Sequence, residues 1–289
     1  MPPPTPVPEL PADLVNGAIV LRNREAVLPL LPRDAVICEV GVGLGSFSRK
    51  MIEICQPRHF IAIDNFKVHE QPELWGKPTS HWFDGKTHGD FYRGSFAVEI
   101  GTGMVTVIEA ESDVGIAQLD DASVDVFYID GDHSYEAVRR DLAVAARKVR
   151  SDGYLVLNDY ILVDGLGANV PYGVIYAAHE FMIQQNWAMQ FFALQTCMFC
   201  DIVLRRADCL PRPDITPLET SARRWFDEGN GAHGAAAAPR LNLATAPAVM
   251  TLQWENTALR REIQALRTSF SWRITAPLRA AKRMFQTDP

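Results

Sequence analysis

Three groups of residues in this sequence have the types and spacing that chemistry needs. The first is Glu39-Val-Gly41-Val-Gly43-Leu-Gly45, which closes the apolar run VICEV. Glycines there let the backbone turn sharply and let a ligand approach where a Cβ would collide, so the group predicts a nucleotide-like cofactor site. A dinucleotide fingerprint would place Gly or Ala sixth, counting from Gly41, and Ser46 stands there instead. The second group, in VDVFYIDGDHSYEAVRRDL, carries Asp130, Asp132 and His133 just ahead of a helical pattern. The third, in YLVLNDY, carries Asn158 and Asp159. Asp130, Asn158 and Asp159 are hard oxygen ligands of the kind Mg²⁺ takes, and a histidine titrates near neutrality, so His133 suits proton transfer.

Such groups act together only if the elements that carry them end at one edge. Short apolar runs alternate with amphipathic stretches, the pattern of βα units in a parallel sheet. Strands are predicted at Val36–Val40, Phe60–Ile63, Val105–Ile108, Val124–Ile129 and Tyr154–Leu157. Helices are predicted at Ser46–Cys55, Val114–Leu119, Tyr135–Val149 and Val174–Gln184. Two further β-rich runs, Ala188–Leu194 and Met198–Leu204, lie too close for a helical crossover and should pair antiparallel. The expected fold class is therefore α/β, a doubly wound, seven-stranded, mostly parallel sheet with an antiparallel terminal pair. Residues 12–31 have apolar residues at helical spacings and read as one or two short helices. Residues 65–103 are too long for a simple connection and rich in aromatics and histidines, including His81 and His88. They read as a satellite packed on the sheet or as a substrate lid.

On these residues the chain resembles the class I S-adenosylmethionine-dependent methyltransferases, whose first motif is an acid followed by G-x-G-x-G. The resemblance covers residues 12–226 almost entirely. It implies that Glu39 sits near the methionine amino end, that Gly41, Gly43 and Gly45 underlie the cofactor, and that Asp64 binds the ribose diol. A carboxylate suits the last role because it accepts two hydrogen bonds. It also implies that Glu111 and Ser112 lie around the adenine and that Asp130 borders the cofactor. The IDGDHSYEAV…DGYLVLNDY pattern resembles the metal-dependent O-methyltransferase branch that includes catechol-type and antibiotic-sugar enzymes. That narrower resemblance implies Asp130, Asn158 and Asp159 around a divalent ion, with His133 as general base beside Asp130; here Asn158 precedes Asp159, the reverse of the catechol-type order. The expected reaction is methyl transfer to a hydroxyl, of a sugar before a catechol-like small molecule, with S-adenosylmethionine and Mg²⁺ as cofactors. A non-catalytic cofactor-binding scaffold is the rival of a different class.

Composition sets the surroundings of that site. The net charge of −7 is uneven: residues 251–289 hold seven Lys/Arg against three Asp/Glu, a net of +4, which leaves −11 on the first 250. An acidic body lacks the basic face that nucleic acid needs, so no nucleic-acid partner is expected. Met1–Pro11 is proline-rich and reads as an extended arm, residues 227–250 as a Gly/Ala/Pro linker, and residues 251–289 as a basic amphipathic helix. Within that tail Ser269, Ser271, Trp272, Arg273, Thr275, Pro277, Leu278 and Arg279 resemble an S-x-S-W-R-x-T-x-P-L-R tail of bacterial polysaccharide-assembly enzymes. The tail's expected partner is an anionic membrane surface or a glycan-assembly complex, with self-association as a short coiled coil left open. No window approaches the roughly 20 apolar residues of a membrane span, and the first residues do not form a signal-peptide pattern. Five cysteines suit a reducing compartment, so a cytoplasmic protein is expected, and Cys197 and Cys200 read as buried structural thiols.

Overall fold

The computed structural model describes residues 6–74, 77–164, 170–195 and 198–210. The linker, the basic tail, Cys197 and the domain end expected near residue 226 lie outside the described residues. In chain order the elements are β1 (Ile19–Leu21), β2 (Val36–Val40), α1 (Ser46–Cys55), β3 (His59–Asp64), a small hairpin of β4 (Glu73–Leu74) and β5 (Lys77–Pro78), α2 (His88–Ser95), α3 (Ala97–Gly101), β6 (Val105–Glu109) and α4 (Ser112–Ala117). These are followed by β7 (Val124–Ile129), α5 (Tyr135–Lys148), β8 (Val149–Leu157), α6 (Val174–Gln185), β9 (Trp187–Ala193) and β10 (Asp201–Arg206).

The main sheet has eight strands in the order β1-β9-β10-β8-β7-β2-β3-β6. Strands β8, β7, β2, β3 and β6 are mutually parallel. Strand β10 is antiparallel to both β8 and β9, and β1 is parallel to β9. The expected seven strands are thus eight. The additional one, Ile19–Leu21, falls where helical spacing had predicted a helix. Its register pairs Ile19 with Phe191 and Leu21 with Ala193. Pro11 and Pro29 break the flanking residues into three-residue 3₁₀ turns, so the apolar spacing never develops into α-helix. β8 also starts earlier than expected, at Val149, because a register shift lets Val149 pair with Val124 before the regular ladder begins at Tyr154.

Alternate residues of each central strand enter opposite cores, as the period of two requires. Cys38, Val40, Ile61, Ile63, Phe127, Ile129, Leu155 and Leu157 bury in one core, together with α5 and α6 residues such as Val138, Leu142, Ala178 and Met182. Ile37, Phe60, Ala62, Val126, Tyr128 and Val156 bury in the other, with Phe47 and Met51 of α1 and Tyr92 of α2. The aromatic insertion belongs to this second core. Phe66, Phe83, Tyr92 and Phe96 are almost fully buried, which makes the insertion a packed layer over the sheet. β2 has β3 on one side and β7 on the other, so the chain's crossovers diverge at its C-terminal end, where ligands bind in open α/β sheets.

Candidate functional site

The glycine-rich turn leaves β2 at that divergence. The N–H of Gly41 donates to the Ile63 carbonyl (2.8 Å), and the N–H of Asp130 donates to the Val40 carbonyl (2.7 Å), so the turn is clamped between β3 and β7. Gly41 has φ +82°, and a Cβ there would lie 2.1 Å from the Asp130 carbonyl oxygen. Gly43 has φ +48° and nothing within 4 Å of its missing Cβ, because it faces open space. Asp64 accepts from the N–H of Val42 (2.9 Å) and of Phe66 (2.6 Å), which ties the turn to the end of β3. His88, fully buried, lies with Nε2 2.6 Å from the Gly43 carbonyl. A carbonyl only accepts, so Nε2 carries the proton. This histidine of the aromatic insertion is therefore a support beneath the turn, in ring contact with Phe66 and Phe83.

A cleft of about 390 Å³ opens above the turn. Its walls are Val40, Gly41, Gly43, Ile63, Asp64, Asn65, Lys67, Val68, Gln71, Ala110, Glu111, Ser112, Asp130, Gly131 and Asp132. Gly41, Gly43, Asp64, Glu111, Ser112 and Asp130 were expected around the cofactor, and the fold brings them to one space. Glu39 and Gly45 are not among its walls. Glu39 is buried below the turn and accepts the Ser48 hydroxyl, and burial pushes its carboxyl well above the usual range. Gly45 caps α1 with φ +74°. Glu111 is exposed and accepts from Lys67 Nζ (2.9 Å) and Asn65 Nδ2 (3.2 Å), a set of polar groups with no motif to announce it. The Ser112 hydroxyl donates to Asp141 of α5 (2.6 Å).

The other groups meet at the adjoining strand ends. His133 stacks on Tyr172, with ring centroids 4.6 Å apart and planes 9° from parallel. Its Nε2 lies 3.6 Å from Asp130 Oδ1 and 3.7 Å from Asp159 Oδ2, and is buried with no hydrogen-bond partner among the described residues. Burial alone would lower the His133 pKa. The carboxylates of Asp130 and Asp159, with a contribution from Asn158, outweigh it, and the net shift is upward. Asp159 adopts φ +52°, and burial raises its carboxyl to about 6 against the pull of His133. Asp132 accepts from the N–H of Ser134, and Ser134 itself caps α5 by accepting from Ala137. Asp132 thus supports the turn into the helix while also lining the cleft.

Nothing among the described residues adds support for the expected Mg²⁺ set of Asp130, Asn158 and Asp159. Asn158 is buried, and its amide nitrogen donates to Asp201 Oδ1 (3.1 Å) and to the Tyr128 hydroxyl (3.3 Å). The His133 ring stands between the two carboxylates that were expected to share the ion. Among the described residues no three His, Cys, Asp or Glu side chains come together at metal-binding spacing.

Sequence patterns gave no sign of a second polar array beneath the site. Tyr128 donates to Asp201 Oδ2 (2.7 Å), Gln195 donates to Asp201 Oδ1 (2.7 Å), and Arg24 donates to the Tyr128 hydroxyl (3.3 Å). Asp201 is fully buried, and desolvation raises its carboxyl to about 7 despite three donors. Only the pairing of β10 beside β8 brings Asp201 to Asn158.

A mostly parallel α/β sheet with a G-x-G-x-G turn after one central strand and an acid closing the next has the organisation of a nucleotide-binding domain. Residues 38–160 match the family model described as a methyltransferase domain. Among solved structures the chain is similar to a precorrin-6y C5,15-methyltransferase from Geobacter metallireducens, with 17% identity, TM-score 0.43, and 63% of this chain and 85% of that one covered. A Burkholderia thailandensis 1,6-didemethyltoxoflavin-N1-methyltransferase bound to S-adenosylhomocysteine gives 17% identity, TM-score 0.41, and coverage of 63% and 76%. An S-adenosylmethionine-dependent methyltransferase from Aquifex aeolicus gives 14%, TM-score 0.41, and 67% and 90%. No curated protein matches the chain.

Proposed function

We propose that this protein is an S-adenosylmethionine-dependent O-methyltransferase whose acceptor is a hydroxyl, of a sugar in a bacterial glycan or glycosylated metabolite. The observation that carries the reading is His133, with an unpartnered, buried Nε2 facing two carboxylates beside the cleft. The cleft fits the cofactor: Gly43 leaves open space, Asp64 presents a carboxylate at the β3 end, and Asn65, Lys67 and Glu111 offer donors and acceptors beyond it. When bound, S-adenosylmethionine supplies an electrophilic methyl group on a positively charged sulfur.

A hydroxyl is a poor nucleophile near neutral pH unless it loses its proton as it attacks. His133 Nε2 is the group placed to accept that proton, and the bound cofactor would supply the methyl group that the oxygen takes up. Asp130 and Asp159 stabilise the resulting imidazolium, and Tyr172 holds the ring plane. The preference for a sugar rests on the spacing of His133 from Asp130 and on the tail's resemblance. A catechol-like acceptor is the alternative.

Incubation with methyl-labelled S-adenosylmethionine and panels of glycosides and catechols, read by mass spectrometry, tests this. A gain of one CH₂ on glycosides is expected; transfer to catechols alone would replace the sugar reading, and no transfer from a chain that binds S-adenosylhomocysteine would favour the scaffold. For the tail, we propose attachment to an anionic membrane surface. Co-sedimentation of the full chain with phosphatidylserine vesicles, falling with added salt and lost on deletion of residues 251–289, is the expected result.

A further inference from the structure

Arg24 lies in a 3₁₀ turn ahead of β2, where no motif singled it out. Its guanidinium lies over the Phe47 ring, 4.2 Å from the centroid, with Nη1 3.3 Å from the Tyr128 hydroxyl and 4.0 Å from Asp130 Oδ2. Its side chain is 31% exposed. Among the described residues every polar contact it makes runs through Nη1, which leaves Nε and Nη2 without a protein partner there. A guanidinium carries five donors in a rigid fork suited to a carboxylate, so most of this fork is available to a ligand.

We infer that Arg24 binds the α-carboxylate at the amino-acid end of S-adenosylmethionine and of S-adenosylhomocysteine. The inference rests on the cofactor reading above. The cleft has polar nucleoside-type partners at the Asp64, Asn65 and Glu111 end, and Asp130 at the other. The amino-acid end of the cofactor is a zwitterion and requires one anionic and one cationic partner side by side. Asp130 and Arg24 are that pair, 4.0 Å apart, and Asp130 is a wall of the cleft. Phe47 is the second residue of the ten-residue helix α1, whose N-cap Gly45 offers no side-chain acceptor. The unpaired N–H groups of that first turn add positive potential on the same side.

Isothermal titration of three nucleosides into the full chain separates the outcomes. These are S-adenosylhomocysteine, its decarboxylated analogue and 5′-methylthioadenosine, which lacks the whole amino-acid part. The wild-type chain is expected to bind S-adenosylhomocysteine about 10- to 100-fold more tightly than the decarboxylated analogue, the usual effect of a charge-assisted contact. Arg24→Gln should weaken S-adenosylhomocysteine by a similar factor while binding 5′-methylthioadenosine as the wild type does, and Arg24→Lys should fall between. Unchanged S-adenosylhomocysteine affinity in Arg24→Gln would overturn the inference. Equal loss of all three nucleosides would also overturn it, by showing that Arg24 only supports Tyr128 and Phe47. A wild-type chain that binds 5′-methylthioadenosine and S-adenosylhomocysteine equally would place the carboxylate elsewhere, and one that binds neither would remove the cofactor reading as well.

Discussion

At the scale of single residues, the site depends on one imidazole held between two acids. Asp130 and Asp159 raise the proton affinity of His133, and a base must be neutral before it can accept a proton. The rate should therefore rise with pH through the His133 pKa. Replacing Asp159 by Asn removes one of the charges that raise it, so the acidic limb of the kcat/KM profile should move to lower pH. A profile unmoved by Asp159→Asn would show that the two groups do not interact during turnover. His133→Ala should lower kcat by about 10²- to 10⁴-fold, the usual contribution of a positioned base, with S-adenosylhomocysteine affinity retained. His133 and both acids were legible in the sequence because they fall within four residues of the ends of apolar strands. Tyr172 was not, since a lone tyrosine carries no pattern, and only the return of the chain at Gly173 lays it on the imidazole. Gly173 makes that return feasible: its N–H donates to the His133 carbonyl (2.7 Å), and a Cβ there would lie 2.0 Å from Tyr135 N.

At the scale of elements, two glycines of one turn have different duties. Gly41→Ala drives a Cβ into the Asp130 carbonyl and forces a left-handed alanine, which should cost about 2–5 kcal/mol of stability. Gly43→Ala meets no atom and carries only the conformational cost of about 1–2 kcal/mol, but its methyl projects into open space at the cleft. Urea unfolding and titration with S-adenosylhomocysteine should therefore separate them, with stability lost mainly in Gly41→Ala and affinity lost mainly in Gly43→Ala. The strand-turn-helix unit was legible because glycines at alternate positions after a buried run have few other uses. The support beneath it was not. His88 lies 45 residues from Gly43 in the chain, and its contact with that carbonyl exists only because α2 packs against the turn. In the same way, helical spacing in residues 12–31 gave the wrong element, since prolines and the open edge of β9 outweighed a weak local preference.

At the scale of the whole molecule, the polar array of Arg24, Tyr128, Asn158, Gln195 and Asp201 crosses the sheet beneath the site. Asp201 has its carboxyl raised to about 7 from an ordinary 3.8. The folded chain thus holds the proton more tightly than the unfolded chain. The sign follows: this contribution to stability is present at low pH and is lost as pH rises from about 4 to about 7, with no further change above. Asp201→Asn removes the titration, so its stability should fall less between pH 5 and pH 8 than that of the wild type. The difference should reach at most about 1.4 kcal/mol per pH unit within that window, read by urea unfolding. Parallel slopes for the two proteins would show that Asp201 is ionised throughout. Among the described residues no helix is long and apolar enough to cross a membrane.

The amino-acid sequence by itself determined the order of the strands and helices from residue 36 on outside the aromatic insertion, the glycine turn, and the acids and histidine at the strand ends. Each of these is written in local periodicity or in adjacent residues. Tertiary structure alone decided what the side chains do once assembled. The insertion of β10 beside β8 gave the Asn158 amide nitrogen a partner in Asp201, and the packing of α2 put His88 under Gly43. Arg24 reached Asp130 across 106 residues of chain. Such contacts depend on which strands become neighbours, and no short-range pattern encodes that choice because it is settled by burying two hydrophobic faces at once.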